Sequence, residues 1–171
     1  MIQPQTGDII AVADGRWTLA RLIQRVTDTT FHHTGIIVQV DGKLYVSEME
    51  AEGHILTPWG SAKYNWGKPT DRTLVLMRLR AGFPDPEALV EFTMTDNTRY
   101  DFGALVQHVI LRYTGLWVGR KGVKAASRLT CSERVAYVYN KFTGLFPKWW
   151  RKSPRDIVEM YPDDFEFFSF R

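Results

Sequence analysis

The chain has a single cysteine, Cys131, in 171 residues. No intramolecular disulfide can form, which excludes a small disulfide-built secreted module and admits a reducing compartment. One cysteine without a C-x-x-C partner, and histidines at no zinc-ligand spacing, argue against a structural zinc site. No metal or other cofactor is expected. Long apolar runs are absent too, so no segment is expected to cross a bilayer. The polar stretch from Met1 to Asp8 lacks a charged region followed by an apolar one. The expectation is therefore a protein that is cytoplasmic as synthesised, or one carried outward with a phage virion or by lysis. Neither a G-x-S-x-G elbow nor a Gly-rich phosphate loop occurs; Gly115, Gly119 and Gly122 lack a following G-K-[ST]. Net charge is only +3, too small to imply nucleic acid unless clustered. One cluster exists, Arg120, Lys121, Lys124 and Arg128. It reads first as a solvated loop and second as a contact for an acidic substrate or a membrane surface.

What is present suits one globular domain over residues 1–171, with 44% hydrophobic and 24% charged residues. The first part reads as strands: Ile9 to Val12, a β-rich run from Trp17 to Val26, Thr34 to Val40, Lys43 to Glu48, Ile55 to Leu56 and Thr73 to Arg80. Asp41-Gly42 between two β-branched runs predicts a two-residue hairpin turn. The second part has helical spacing over Pro86 to Thr95, Asp101 to Tyr113 and Cys131 to Phe142, with a short helix from Ser153-Pro154 to Met160. Strands followed by helices predict an α+β domain, an antiparallel sheet or barrel packed against helices.

A lone cysteine is more often a small buried hydrophobe than a nucleophile. Cys131, however, stands where the polar segment Ala126 to Thr130 gives way to a helix. Helix N-terminal N–H groups lower a thiol's pKa and can donate hydrogen bonds to a developing oxyanion. Such a thiol needs a base, and the base an orienting partner. An Asp41-Gly42 turn pairs Gly35 with Glu48 and sets His33 beside Glu50, with Glu48 diagonal to it. His33 is thereby the candidate base, and Glu48 and Glu50 are the candidate acids. Gly35 is expected to leave space beside His33 for a substrate backbone. His32 falls on the opposite face. His108 reads as a satisfied packing residue, and His54 as exposed in a turn.

Several pieces, in order, resemble the circularly permuted members of the NlpC/P60 superfamily, the YaeF/YiiX-like group of papain-like folds. They are Gly7-Asp8-Ile9-Ile10, His33-Thr34-Gly35-Ile36, Tyr45-Val46-Ser47-Glu48 with Gly53-His54-Ile55 and Pro58-Trp59, and Thr130-Cys131-Ser132-Glu133. Tyr100-Asp101 and Ser153-Pro154-Arg155-Asp156-Ile157 are similar to further segments of that group. The order His, acid, Cys is that of the permuted branch. Met49 and Thr130 depart from the usual small and aromatic residues.

The resemblance implies a permuted papain-like fold with Cys131 as nucleophile, His33 as general base and Glu48 as the orienting residue, Glu50 remaining the alternative. It implies an acyl-enzyme cysteine hydrolase, a peptidase or amidase. The substrate would be a peptide, a peptidoglycan-derived stem peptide, an isopeptide or an acyl compound, near Gly35, Tyr100 and Trp59. The alternatives are a lipid-directed acyltransferase, phospholipase or thioesterase similar to the lecithin:retinol acyltransferase relatives, and an inactive binding module of the same fold.

Overall fold

The structure is a computed structural model and describes residues 2–13, 18–61 and 73–170. Its centre is an antiparallel six-stranded sheet in the order β4-β3-β2-β1-β5-β8. The strands are β1 (Ile9–Ala13), β2 (Phe31–Val40), β3 (Lys43–Glu50), β4 (Gly53–Pro58), β5 (Leu74–Leu79) and β8 (Phe165–Phe170). The helices are α1 (Thr18–Thr27), α2 (Pro86–Thr95), α3 (Phe102–Thr114), α4 (Cys131–Thr143) and α5 (Pro154–Glu159). The expected α+β class therefore holds. Among the described residues the sheet is open, with β4 and β8 at its edges, and is not a closed barrel.

The hairpin turn forms as read. Asp41 and Gly42 both take positive φ, 49° and 75°, the conformation a two-residue turn of this kind requires. The pairing runs from Val40 opposite Lys43 to Gly35 opposite Glu48. Trp17 to Val26 was expected as a strand, and Trp17 itself lies outside the described residues. The rest is helix α1, because Leu19, Leu22, Ile23 and Val26 recur at helical spacing and that period outweighs β-branched content. Strand β8 was not expected. Its Phe-rich sequence covers β5 from Leu74 opposite Phe170 to Leu79 opposite Phe165.

Alternation splits the sheet's side chains between two apolar clusters. Ile9, Ile36, Val38 and Met77 share the main core with Leu89 of α2, Val135, Val138 and Tyr139 of α4, Ile157 of α5, and Phe165. Ile10, Val12, Ile37, Val46 and Leu74 form the second cluster, with Leu44 and Trp59 packed against it. The Gly-Asp opening is structural. Asp8 takes both Nε (3.0 Å) and Nη2 (2.7 Å) of Arg78, and the Tyr139 hydroxyl donates to the Gly7 carbonyl.

A short parallel ribbon joins β6 (Arg99–Tyr100) to β7 (Arg128–Leu129). Asp101 then caps α3 through Ala104 N–H (3.2 Å), and Thr130 caps α4 through Glu133 N–H (3.3 Å). Two helix N-termini are thus set side by side. Glu133 completes a capping box by accepting from Thr130 N–H at 3.0 Å. At the next residue of α4, Arg134 Nε donates to Asp96 at 2.8 Å, and both side chains are buried. Removing one member of such a pair leaves a buried charge uncompensated. Asp96→Ala is expected to cost about 3–5 kcal/mol in urea unfolding, whereas Glu166→Ala, which opens the exposed Arg80–Glu166 contact, should barely move the midpoint.

Candidate active site

Cys131 is the first residue of α4, 4% exposed, directly after the Thr130 cap. Its sulfur faces His33 and the backbone N–H groups of Thr34 and Ser132, which together favour its thiolate. Those partners come from β2 and from the helix start, so the thiol sits where the sheet meets the N-terminus of α4. Ser132 Oγ donates to the Lys152 carbonyl at 2.8 Å. Ser153 and Asp156 form a second capping box just beyond. The Ser-Pro-Arg-Asp segment thereby docks the start of α5 against the start of α4.

His33 bridges the thiol to an acid. Its Nε2 hydrogen-bonds Glu48 Oε2, and Glu50 Oε1 lies 3.9 Å away. The remaining nitrogen, Nδ1, is the one left for Cys131. The Glu48 side chain is wholly buried and also accepts from the Thr57 hydroxyl; that of Glu50 is 35% exposed. An ideal hairpin sets Glu50 across from His33. The ladder with β3 ends instead at Gly35–Glu48, and β2 carries a bulge, since Val12 opposes His33 but Ala13 opposes Phe31. A bulge re-aims neighbouring side chains, and here His33 meets Glu48.

Electrostatics favour charge separation across this pair. Burial opposes a charge on His33, but its hydrogen bonds with Cys131 and Glu48 win and raise it to about 10. Burial pushes the Cys131 thiol up, yet the His33 hydrogen bond and charge, with the two backbone N–H groups, hold it below its ordinary 9.0. These directions favour an imidazolium–thiolate form of the pair beside the buried Glu48 side chain.

The remaining expected residues divide. Tyr100 lines an apolar cavity of about 110 Å³ that reaches Cys131, together with Leu22, Ile23, Val26, Val106 and Val109. Gly35 gives no open space: a Cβ there would meet Val46 Cγ1 at 2.6 Å and Glu48 Cβ at 3.3 Å. Its glycine is needed for β3 side chains to pack over β2, which corrects the expectation of a substrate path. Trp59 packs on the second apolar cluster with Leu44 and is not among the residues lining the cavity. His54 is not exposed in a turn. It lies part-buried on β4, contacts Ser47 Oγ at 2.9 Å, and donates from Nδ1 to the Asp96 carbonyl at 3.2 Å. Burial, then Arg134, lowers it to about 4. His108 is buried against Trp117 and lines the cavity, and its Nε2 has no hydrogen-bond partner, contrary to the satisfied packing expected. Of the basic cluster, Arg120, Lys121 and Arg128 are exposed; the Lys124 side chain lies outside the described residues. No local signal marks this cavity, because its two walls, Leu22 to Thr27 and Tyr100 to Val109, are far apart in the chain.

No family model matches the chain, and no curated protein matches it. Among solved structures, the crystal structure of the metalloprotein yiiX from Escherichia coli O157:H7, DUF1105, is similar. It has a TM-score of 0.58 at 20% identity, with 99% of each chain covered. At that identity the likeness is one of fold.

The pair's pH behaviour follows from its directions. The raised His33 contributes stability that is full below its ordinary 6.5 and is lost as pH rises toward about 10. The lowered Cys131 contributes stability that is full above its ordinary 9.0 and is lost as pH falls through its folded value. At neutral pH, native Cys131 should react with iodoacetamide faster than the same thiol in denatured protein, and His33→Ala should slow it. A native rate at neutral pH no faster than the denatured one would exclude the pair.

Proposed function

We propose that this chain is a cysteine hydrolase that works through an acyl-enzyme on Cys131. The observation that carries the reading is His33 held between the Cys131 thiol, at a helix N-terminus, and the buried Glu48 carboxylate. The thiolate attacks a carbonyl carbon, and the carbonyl electrons move to oxygen. Backbone N–H groups at the start of α4 would hold that oxyanion. His33, protonated at Nδ1, gives its proton to the leaving group and then takes one from the water that hydrolyses the thioester. Glu48 fixes the ring and compensates its charge throughout; it acts by orientation, as the third member of such a set does.

The motifs favour an amide, whereas the cavity favours an apolar acyl group on the carbonyl side. A stem peptide would bring charged groups against Leu22, Ile23, Val26, Val106 and Val109, where they would lose hydration without gaining partners. A fatty-acyl ester, thioester or amide fits that wall. On this reading the family resemblance, with its YaeF/YiiX-like permuted papain-like fold, describes the catalytic apparatus and the cavity describes the substrate.

A second reading rests on a separate observation. His33, Glu48 and Glu50 offer three ligand atoms within 4.8 Å of one another, and the fold neighbour is described as a metalloprotein. An imidazole with two carboxylates suits a divalent ion such as zinc, so these residues fit one. Such an ion would supply a Lewis acid beside the cavity. It would also take Nε2 from Glu48 and deprive Cys131 of its base, so the two readings exclude one another at His33.

Acyl p-nitrophenyl esters and acyl amides of increasing chain length test the proposal, with intact-mass detection of an acyl adduct on Cys131. Turnover should rise roughly fourfold per methylene until the cavity is filled. It should vanish in Cys131→Ser and fall about 10²–10⁴-fold in His33→Ala. Activity that survives Cys131→Ser but is abolished by a chelator would overturn the thiol mechanism in favour of the metal.

A further inference from the structure

The mouth of the cavity is apolar on the outside as well as the inside. Among the described residues, nine large hydrophobic side chains are exposed, and six of them lie in one region. These are Leu22 of α1, Phe102, Val106 and Tyr113 of α3, and Leu116 and Val118 in the loop after α3, each more than half exposed. Phe102, Val106 and Tyr113 follow at helical spacing along one face of α3. Leu22 and Val106 also line the cavity, so the outer patch is continuous with the path to Cys131. The loop is fixed beside that path, not splayed away from it. Trp117 stacks edge-on against His108 with ring centroids 5.3 Å apart, and its indole N–H donates to the Arg120 carbonyl at 3.0 Å. This sets Leu116 and Val118 outward on either side of a tryptophan packed on the cavity-lining His108.

Charge is distributed to match. From Phe102 to Ser132 there is no Asp or Glu but five cations, Arg112, Arg120, Lys121, Lys124 and Arg128. Helix α1 adds Arg21 and Arg25, again without an acid. The chain as a whole carries only +3, so the rest of the molecule is net acidic and the positive field is concentrated here. Asp28 neutralises part of it, 3.8 Å from Arg112. Exposed aliphatic and aromatic side chains set among cations, with a tryptophan behind them, have the composition of an interfacial membrane surface. An apolar patch of this kind on a soluble face marks an interaction site.

We infer that α1, α3 and the loop from Leu116 to Lys121 form a docking surface for an anionic phospholipid bilayer, which delivers the acyl substrate to the cavity. The inference rests on the acyl-hydrolase reading for its purpose, but not for its measurement. The apolar side chains enter the headgroup boundary, Arg120 and Lys121 meet lipid phosphates and serines, and an acyl chain passes between Leu22 and Val106 toward Cys131 without crossing water.

Co-sedimentation with vesicles of phosphatidylcholine alone, or with 30% phosphatidylserine (roughly the level at which surface potential attracts basic segments), tests this. The protein should bind the anionic vesicles and not the neutral ones, and should be released by high salt. Leu116→Asp with Val118→Asp, and separately Arg120→Glu with Lys121→Glu, should each weaken binding roughly tenfold or more. Both should leave the circular dichroism spectrum and the turnover of a soluble short-chain ester unchanged. Cys131→Ser should bind vesicles as the parent does, so failure of the chemistry and failure of the docking are separable. Absence of binding to anionic vesicles, or binding indifferent to both double variants, would overturn the inference. So would a dimer in sedimentation equilibrium that Leu116→Asp dissociates, since the patch would then be covered by a second copy.

Discussion

A buried charge survives only where its surroundings make neutralisation more costly than ionisation, and in this protein that constraint is met along one line from Cys131 through His33 to Glu48. The carboxylate is wholly buried, so it needs a partner that can be cationic. The imidazole is mostly buried, so it needs an anion on each nitrogen to hold a proton against desolvation. The thiol needs both the cation and the N-terminus of α4. Each group favours ionisation of its neighbour, and each comes from a different element: β3, β2 and α4.

Much of the architecture serves to keep those elements in place. The β6–β7 ribbon fixes where α4 begins, and the capping box fixes which residue is its first. Glu133 does this from a buried position, where desolvation raises it to about 8 and favours its uncharged form beside the thiol. Arg134 and Asp96 then tie α4 to the segment after α2, and the Asp96 carbonyl holds His54, whose Nε2 reaches Ser47 next to Glu48. The helix bearing the thiol and the strand bearing the acid are thus linked a second time, through a polar chain behind the site.

Local signals in the sequence carried a good part of this. Asp41-Gly42 dictates a turn, the turn dictates register, and register brings Gly35 opposite Glu48 and His33 into reach of a carboxylate. Thr130 marks the start of α4 by its side-chain cap, and Gly115, in the left-handed conformation, marks the end of α3. What local reasoning missed depended on neighbours distant in sequence. The bulge that directs His33 to Glu48 arises in the pairing of β2 with β1. Gly35 looked like open space until Val46 and Glu48 were packed over it. His54 looked like a turn residue until Asp96, forty-two positions away, accepted its N–H. Two differences are local in origin: α1, whose helical stripe Leu19, Leu22, Ile23 and Val26 outweighs its β-branched content, and β8, whose Phe-rich run is itself a strand signal.

The same α1 explains why a strongly polar site and an apolar cavity coexist. Helix α1 is inserted between β1 and β2, the two strands whose pairing contains the bulge, and it packs against α3 over the thiol. Its apolar residues exclude water from one side of Cys131, which strengthens every electrostatic interaction on the other side. Hydrogen bonds from Thr34 and Ser132 N–H to the sulfur gain from that dryness, whereas a thiol lacking them would simply be protonated. The wall that selects an apolar substrate is therefore also a condition for the ion pair. Opening it with a polar residue at Ile23 would weaken both, because the substrate contact and the low dielectric come from the same side chain.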